Sequence, residues 1–389
     1  MAKYENGMPA DASKLQEYGV KVSAGRVKLA KYWLVVLEYA NSAPKSLTFP
    51  AGGRNFPRNQ AELTAMPISG NTSYVPTMNE FIAHWGQVNA VLTPDLTAPA
   101  PDGTAMDLAG FTALRDNLQD QFQTVIGFLN DKEIARGGIR LTKARMLAHF
   151  NEFNAMLDGY WAGTAFINAR PYAPSLSDGM EHFLNPMRDA YSLWVKVDAA
   201  PAPPGITLPL VLSDGTSANE FIDEINELQA AYAAEALANQ NAVLARSERD
   251  GIMATAKAVM VSYRKVVPPR CAQHPTLVET LPAVTPPPGH TPQPVNASAV
   301  FQAPDQAKIV YGASQEATLA RYELRGNPGE EYEDEDAVTI ATHGPGDPLE
   351  FVTGFGLTQP GTQASYKVYV VLETGNEAGS AAMTVERPL

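Results

Sequence analysis

Apolar side chains in the first two thirds of the chain recur every three or four residues, the spacing that gathers them on one face of a helix. Phe81, Ile82, Trp85, Val88 and Leu92 form one stripe, and Leu108, Phe111, Leu114, Leu118, Phe122, Val125, Ile126 and Leu129 form a longer one. The pattern resumes at Leu141, Met146, Phe150, Phe153, Leu157 and Trp161, beyond Gly137-Gly138, where two helix-weakening residues predict a break. Upstream, Leu15, Tyr18 and Val22, then Val27, Leu29, Trp33, Leu34 and Leu37, predict one long helix or two shorter ones over 11–41, with strand competing over Tyr32–Leu37. Pro44, Pro50, Gly52, Gly53, Pro57, Pro67 and Gly70 make 42–73 an extended loop.

The helical stretch is written twice. Residues 74–85 and 172–183 align without a gap: Tyr74/Tyr172, Pro76/Pro174 and His84/His182 are identical, while Thr77/Ser175, Glu80/Asp178, Ile82/Met180 and Trp85/Phe183 keep chemical type. Asp102-Gly103-Thr104 recurs as Asp214-Gly215-Thr216. Gly138, Thr142 and Phe150 are echoed by Gly251, Thr255 and Tyr263, and Phe221, Ile225, Leu228 and Tyr232 align with Phe111, Arg115, Leu118 and Phe122 at an offset of 110. Three blocks in one order predict a repeated structural unit, over 74–165 and 172–266. Thr77 with Glu80, and Ser175 with Asp178, have the spacing of capping boxes that start a short helix. Each unit is then expected to hold a long antiparallel helix pair. Pro186 is expected to kink or restart its helix.

Nine prolines over 267–296 predict a stiff, extended spacer, with Leu277, Val278, Leu281 and Val284 able to pack along the bundle. From about Asn296 the period shortens to two. Runs at Ala299–Phe301, Ile309–Tyr311, Ala320–Leu324, Ala337–Ile340, Phe351–Val352, Tyr366–Leu372 and Ala381–Val385 predict seven strands of a β-sandwich. Within them stand Ala320-Arg321-Tyr322-Glu323-Leu324, Gly356-Leu357 followed by Pro360-Gly361-Thr362, Tyr366 with Val368 and Val370, and Asn376-Glu377-Ala378-Gly379-Ser380. These motifs resemble a fibronectin type III domain, with Tyr311 near the position where that family carries a core Trp. The resemblance covers about the last quarter of the chain. It implies a sandwich used as a spacer or adhesive module, without catalytic residues.

The expected fold class is therefore multidomain, α plus all-β: duplicated helical-bundle units followed by a C-terminal fibronectin type III-like sandwich. The expected segments are an N-terminal helix and loop (1–73), two helical units (74–165 and 172–266), a proline-rich linker (267–296) and the sandwich (297–389).

Charge narrows the partners. The net charge is −13, and from Ser298 onward 14 Asp and Glu stand against 5 Lys and Arg, a net −9. The first 45 residues carry 7 Lys and Arg against 4 Asp and Glu, a net +3. A chain of this sign repels polyphosphate, so nucleic acid is excluded as a partner class. No signal peptide or membrane-spanning run is expected from the sequence. That leaves the cytoplasm by default, or the cell surface by a signal-independent route.

The candidate chemistry is sparse. Cys271 stands alone, which excludes a disulfide framework and suggests a free thiol. The sequence lacks His-x-x-x-His, Cys-x-x-Cys, Gly-x-Ser-x-Gly, P-loop and Gly-x-Gly-x-x-Gly patterns, so no catalytic residue, cofactor or metal ligand is assigned. His84 and His182 invite a catalytic or metal reading, with Glu80 and Asp178 beside them. A buried or half-buried histidine that ties down a neighbouring backbone carbonyl is the duller reading of each, and the preferred one. The two Asp-Gly-Thr tripeptides read as turns rather than Ca²⁺ loops. Trp33, Trp85, Trp161 and Trp194 read as core rather than as a carbohydrate platform. Glu330, Glu331, Glu333, Asp334, Glu335 and Asp336 form the strongest charge run, a candidate for Ca²⁺ or a basic partner, or else a solvated loop.

A duplicated scaffold without a catalytic constellation points to a non-enzymatic structural or interaction protein. The expected form is a homo-oligomer or larger assembly in a bacterial surface layer, appendage or phage-tail-like particle, with a protein partner. The alternatives are an adhesin using the sandwich loops, or an enzyme with its site between the helical units.

Overall fold

The computed structural model describes residues 67–286 and 289–389; the helix expected over 11–41, most of the 42–73 loop and Trp33 lie outside them. The helical part opens with a 3₁₀ turn at Asn71–Ser73 and helix α1 (Tyr74–Asn89). A two-residue hairpin, β1 (Ala98–Pro99) with β2 (Ala105–Met106), leads into α2 (Leu108–Tyr160), and a short α3 (Ala165–Asn168) follows. Then come α4 (Met180–Asp198), α5 (Ala218–Arg270) and short α6 (Pro275–Glu279).

The long helices repeat at the offset of 110 expected from Phe111/Phe221 and Leu118/Leu228, whereas the short helices differ from the register the identities suggest. Helices α2 and α5 are each 53 residues long, and their starts and ends lie 110 residues apart (108 to 218, 160 to 270). At that spacing Phe111 matches Phe221, Leu118 matches Leu228, Leu157 matches Val267, and the C-caps are Trp161 and Cys271. Phe153, not Phe150, is the counterpart of Tyr263. In the short helices Trp85 pairs with Trp194, Val88 with Val197 and Asn89 with Asp198. The geometry of each pair agrees. The Trp85 indole donates to the Leu96 carbonyl at 3.1 Å and that of Trp194 to Leu210 at 3.3 Å. Asn89 and Asp198 accept from the backbone N–H of the same two residues. Trp85 lies 5.7 Å from Phe111 and Trp194 lies 5.8 Å from Phe221, tilted by 35° and 37°. The equivalent contacts of the short helices therefore follow the tryptophans, and not the register of the block 74–85 against 172–183.

Two Asp-Gly-Thr turns close the same design. Gly103 and Gly215 take φ of 83° and 96°, a left-handed backbone that favours glycine. In each turn the Asp carboxylate accepts from the Thr backbone N–H two residues on, at 3.0 Å. Thr216 thereby holds the exposed Asp214 carboxylate down to about 2, with help from His149.

Each half was expected to hold an antiparallel pair; instead each supplies one long helix, and the pair forms between halves. Gly137-Gly138 does not interrupt α2. One core joins α1, the start of α2 and the end of α5 through Phe81, Trp85, Phe111, Met260 and Tyr263. The other joins α4, the end of α2 and the start of α5 through Phe153, Leu157, Phe183, Trp194 and Phe221. The shared helices are about 80 Å long at 1.5 Å per residue. The cost of a helical glycine, roughly 1 kcal/mol, is small beside the packing these helices gain along both halves.

The helix starts also moved. α1 begins at Tyr74 behind Ser73, so Thr77 sits inside the helix, its hydroxyl donating to the Ser73 carbonyl. Ser175 and Asp178 form a turn ahead of α4, whose N-cap is Gly179. α4 runs through Pro186, and α5 ends beyond Pro268 and Pro269. The rest of the proline-rich segment is no free spacer. Leu277, Val278, Leu281 and Val284 pack on the α1/α5 core, and the Val284 carbonyl accepts from Ile68 N–H at 3.0 Å.

The C-terminal region is a sandwich of antiparallel sheets. One holds β3 (Ala297–Gln302), β4 (Gln306–Tyr311) and β7 (Glu350–Thr353) in that order. The other runs β10 (Met383–Glu386), β8 (Gln363–Leu372), β5 (Leu319–Pro328), β6 (Val338–His343), with β9 (Glu377–Gly379) on β8. The seven expected strands are present, and β9 is an eighth. Tyr311 is a buried core residue between Tyr322 and Phe351. The Tyr366 hydroxyl donates to the Phe355 carbonyl at 2.6 Å, fixing the corner before β8. On β5 the inside–outside alternation is lost: Glu323, Arg325 and Asn327 are buried on the face opposite Tyr322 and Leu324. Something must cover that face.

Candidate functional site

Glu377, Thr339 and Tyr369 close over Glu323 and Arg325 from within the sandwich, and the helical body meets the sandwich beside them. Val338 and Phe355 pack on Val125, Ile126, Leu129, Ala242 and Ala245, where α2 and α5 cross the middle of the body. All described residues belong to one compact unit, so the sandwich is seated on the helices and not held away by a spacer.

The polar part of the seat is built on Asp336. Asn327, buried on β5, accepts from Glu333 N–H at 3.1 Å and donates to the Glu331 carbonyl at 2.9 Å, shaping the acidic loop. The Glu333 carbonyl then accepts from the N–H groups of Asp336 and Ala337, a tight turn that aims Asp336 at α5. Arg246 Nε donates to both Asp336 oxygens at 2.9 Å, and Arg249 Nη1 reaches Oδ1 at 3.1 Å and the Glu335 carbonyl at 2.8 Å. Arg249 is 1% exposed and Asp336 4%. A charge pair taken this far from water holds only because the guanidinium and carboxylate satisfy one another. The Asp336 contact holds the Arg246 guanidinium above its usual range. Arg140 braces the far side, donating to the Gly361 carbonyl at 2.7 Å and to Gln363 Oε1 at 3.1 Å. Gly137 has a purpose here: a Cβ on it would stand 3.1 Å from the Pro360 carbonyl.

The acidic run is thus divided. Asp336 belongs to the clamp, and Asp334 pairs with Lys367 at 3.1 Å and accepts from the Tyr369 hydroxyl. Glu330, Glu331, Glu333 and Glu335 are exposed, with no ion pair among the described residues. They edge a cleft of about 560 Å³ between sandwich and helices, which Lys132, Glu133, Arg136 and Arg246 also line. Glu133 is 2% exposed; its Oε1 accepts from Arg136 at 3.0 Å, and its Oε2 has no partner. Burial pushes the Glu133 carboxyl up, against the pull of Arg136.

The two histidines are not brought together. His182 is exposed on the first turn of α4, and His84 is buried in the other half. His84 Nε2 lies 2.8 Å from the Leu277 carbonyl and Nδ1 lies 2.7 Å from the Tyr263 hydroxyl. A carbonyl only accepts, so Nε2 carries the proton and Nδ1 accepts from Tyr263. Burial pushes the His84 imidazole below its ordinary range, although the Leu277 bond opposes this. The folded value is the lower one, so the unfolded chain binds the proton more readily. Stability from this site is full above the unfolded pKa of roughly 6.5 and falls as pH drops through the folded value. Urea melts at pH 7 and pH 5 check it: wild type loses more stability on acidification than His84→Gln. Equal losses in the two proteins refute the assignment.

Arg246, Arg249, Arg140 and Glu133 escaped the sequence reading. The available signal was an Arg-x-x-Arg pair and an isolated glutamate within otherwise continuous helical stripes. Among the described residues no group of three His, Cys, Asp or Glu is placed to hold a metal ion, and no helix is long and apolar enough to cross a membrane.

No family model and no curated protein matches the chain. Solved structures of Fn3-like type resemble its C-terminal part, weakly. A Fn3-like protein from Clostridium thermocellum is 22% identical over 26% of this chain and 97% of its own, with a TM-score of 0.20. A structure described as a myokine is 10% identical over 26% of this chain and all of its own, with a TM-score of 0.21. Pectate lyase PelI from Erwinia chrysanthemi, in complex with tetragalacturonic acid, is 22% identical over 24% of this chain, with a TM-score of 0.20; the chain spans only 28% of that enzyme.

Proposed function

We propose that this chain is a non-enzymatic structural or interaction protein, a self-assembling subunit of a bacterial surface layer, appendage or phage-tail-like particle that carries a fibronectin type III-like sandwich. The observation that supports this reading is the clamp of Arg246 and Arg249 on Asp336. It fastens the sandwich to the middle of a body built on two helices of about 80 Å. A module tethered for loose searching gains nothing from a buried ion pair. A bracket that must present surfaces at fixed angles does, because assembly multiplies any angular error. Electron microscopy and sedimentation of the purified full chain over a wide concentration range test this. Filaments, sheets or defined oligomers are expected. A strictly monomeric protein that captures no protein partner sinks the proposal.

A further inference from the structure

The cleft beside the clamp holds an unbalanced set of charges. Six carboxylates line it (Glu133, Glu330, Glu331, Glu333, Glu335 and Asp336) against Lys132, Arg136 and Arg246. Two of the three cations are already engaged, Arg246 by Asp336 and Arg136 by Glu133 and Glu235. The rim glutamates alone would be an ordinary solvated surface. Glu133 is a separate matter: its Oε2 is shielded from water and bonded to nothing. Leaving a buried carboxylate oxygen unsatisfied is costly, and such a group in a cleft marks a place where a donor belongs.

The donor must suit the spacing. The carboxylates are too dispersed to cage one metal ion. An ammonium group on a flexible alkyl chain meets the demand differently, with three N–H donors at each charge and methylenes free to lie along Leu129 and Pro328. We propose that this cleft binds an alkylammonium ligand, with one ammonium seated on Glu133 and a second on the glutamate rim. A free linear polyamine and paired lysine side chains of a peptide share this chemistry.

Calorimetric titration of the full chain at low salt, with spermidine in one arm and N-acetyl-Lys-Lys-amide in the other, tests the site and separates the two sources. Saturable binding of either is expected. Glu133→Gln is expected to weaken it at least about tenfold, the worth of a hydrogen bond to a charged group. Lys132→Met, which removes a competing cation, should tighten it. The exposed triple variant Glu330→Gln/Glu331→Gln/Glu333→Gln should weaken it without touching the buried seat, and decides the matter if Glu133→Gln does not fold. No binding in either arm overturns the proposal. So does unchanged affinity in the variants, or displacement by Mg²⁺ at equal concentration, which would mean a diffuse counter-ion atmosphere.

Discussion

Asp336→Ala is expected to destabilise the protein by about 3–5 kcal/mol and to loosen the sandwich from the helices, because it strands a buried arginine. Arg246 can turn to solvent, but Arg249 is 1% exposed and keeps its neighbour Asp250, the Glu335 carbonyl and the Phe122 ring, with no carboxylate buried beside it. Thermal unfolding should then split, with the sandwich melting apart from the helical body. Protease should find the segment 289–296 that joins them. The compensating variant is informative. Arg249→Met combined with Asp336→Leu removes both charges and is expected to recover most of the loss, since a well-packed apolar pair replaces a buried ion pair at little cost. A single unchanged transition in Asp336→Ala would show that the apolar contacts of Val338 and Phe355, with the Arg140 brace, hold the seat without the clamp.

Trp194→Ala and Trp85→Ala are expected to cost about 3–5 kcal/mol each, the range for removing a fully buried large aromatic. The two values should be similar. Trp194 stacks on Phe153 at 4.7 Å and Trp85 lies 4.6 Å from Tyr263, and each indole closes an equivalent carbonyl bond. Denaturant unfolding measures both. A duplicate in register at these tryptophans must treat them alike, so a difference of several kcal/mol would argue against the equivalence. Phe183, the sequence partner first suggested for Trp85, is buried beside Lys143 and has no such indole bond.

Parts of this molecule were legible because their cause is local. The stripe from Leu108 to Leu129 announces a helix, since every turn must face the same core. The alternation in Ile309–Tyr311 and Tyr366–Leu372 announces strands for the same reason. The Asp-Gly-Thr turns could be read from glycine's tolerance of positive φ and the reach of an aspartate to the N–H two residues on. The register of the long helices was legible in Phe111/Phe221 and Leu118/Leu228, but that of the short helices was not, because identities such as Tyr74/Tyr172 and His84/His182 count letters, whereas packing counts buried volume. Gly137 looked like a helix stop, and its role as a place for Pro360 and Gly361 to approach needs a partner more than 200 residues away.

The sequence by itself determined that helices would be duplicated, that strands would follow, and roughly where each would lie, because periodicity and turn chemistry act within a few residues. The tertiary structure alone decided which helices pair, that the sandwich sits on their middle, and that one of six neighbouring acids is buried while four face a cleft. Those outcomes depend on burial and charge between residues far apart in the chain. No local pattern records which arginine a given aspartate will meet.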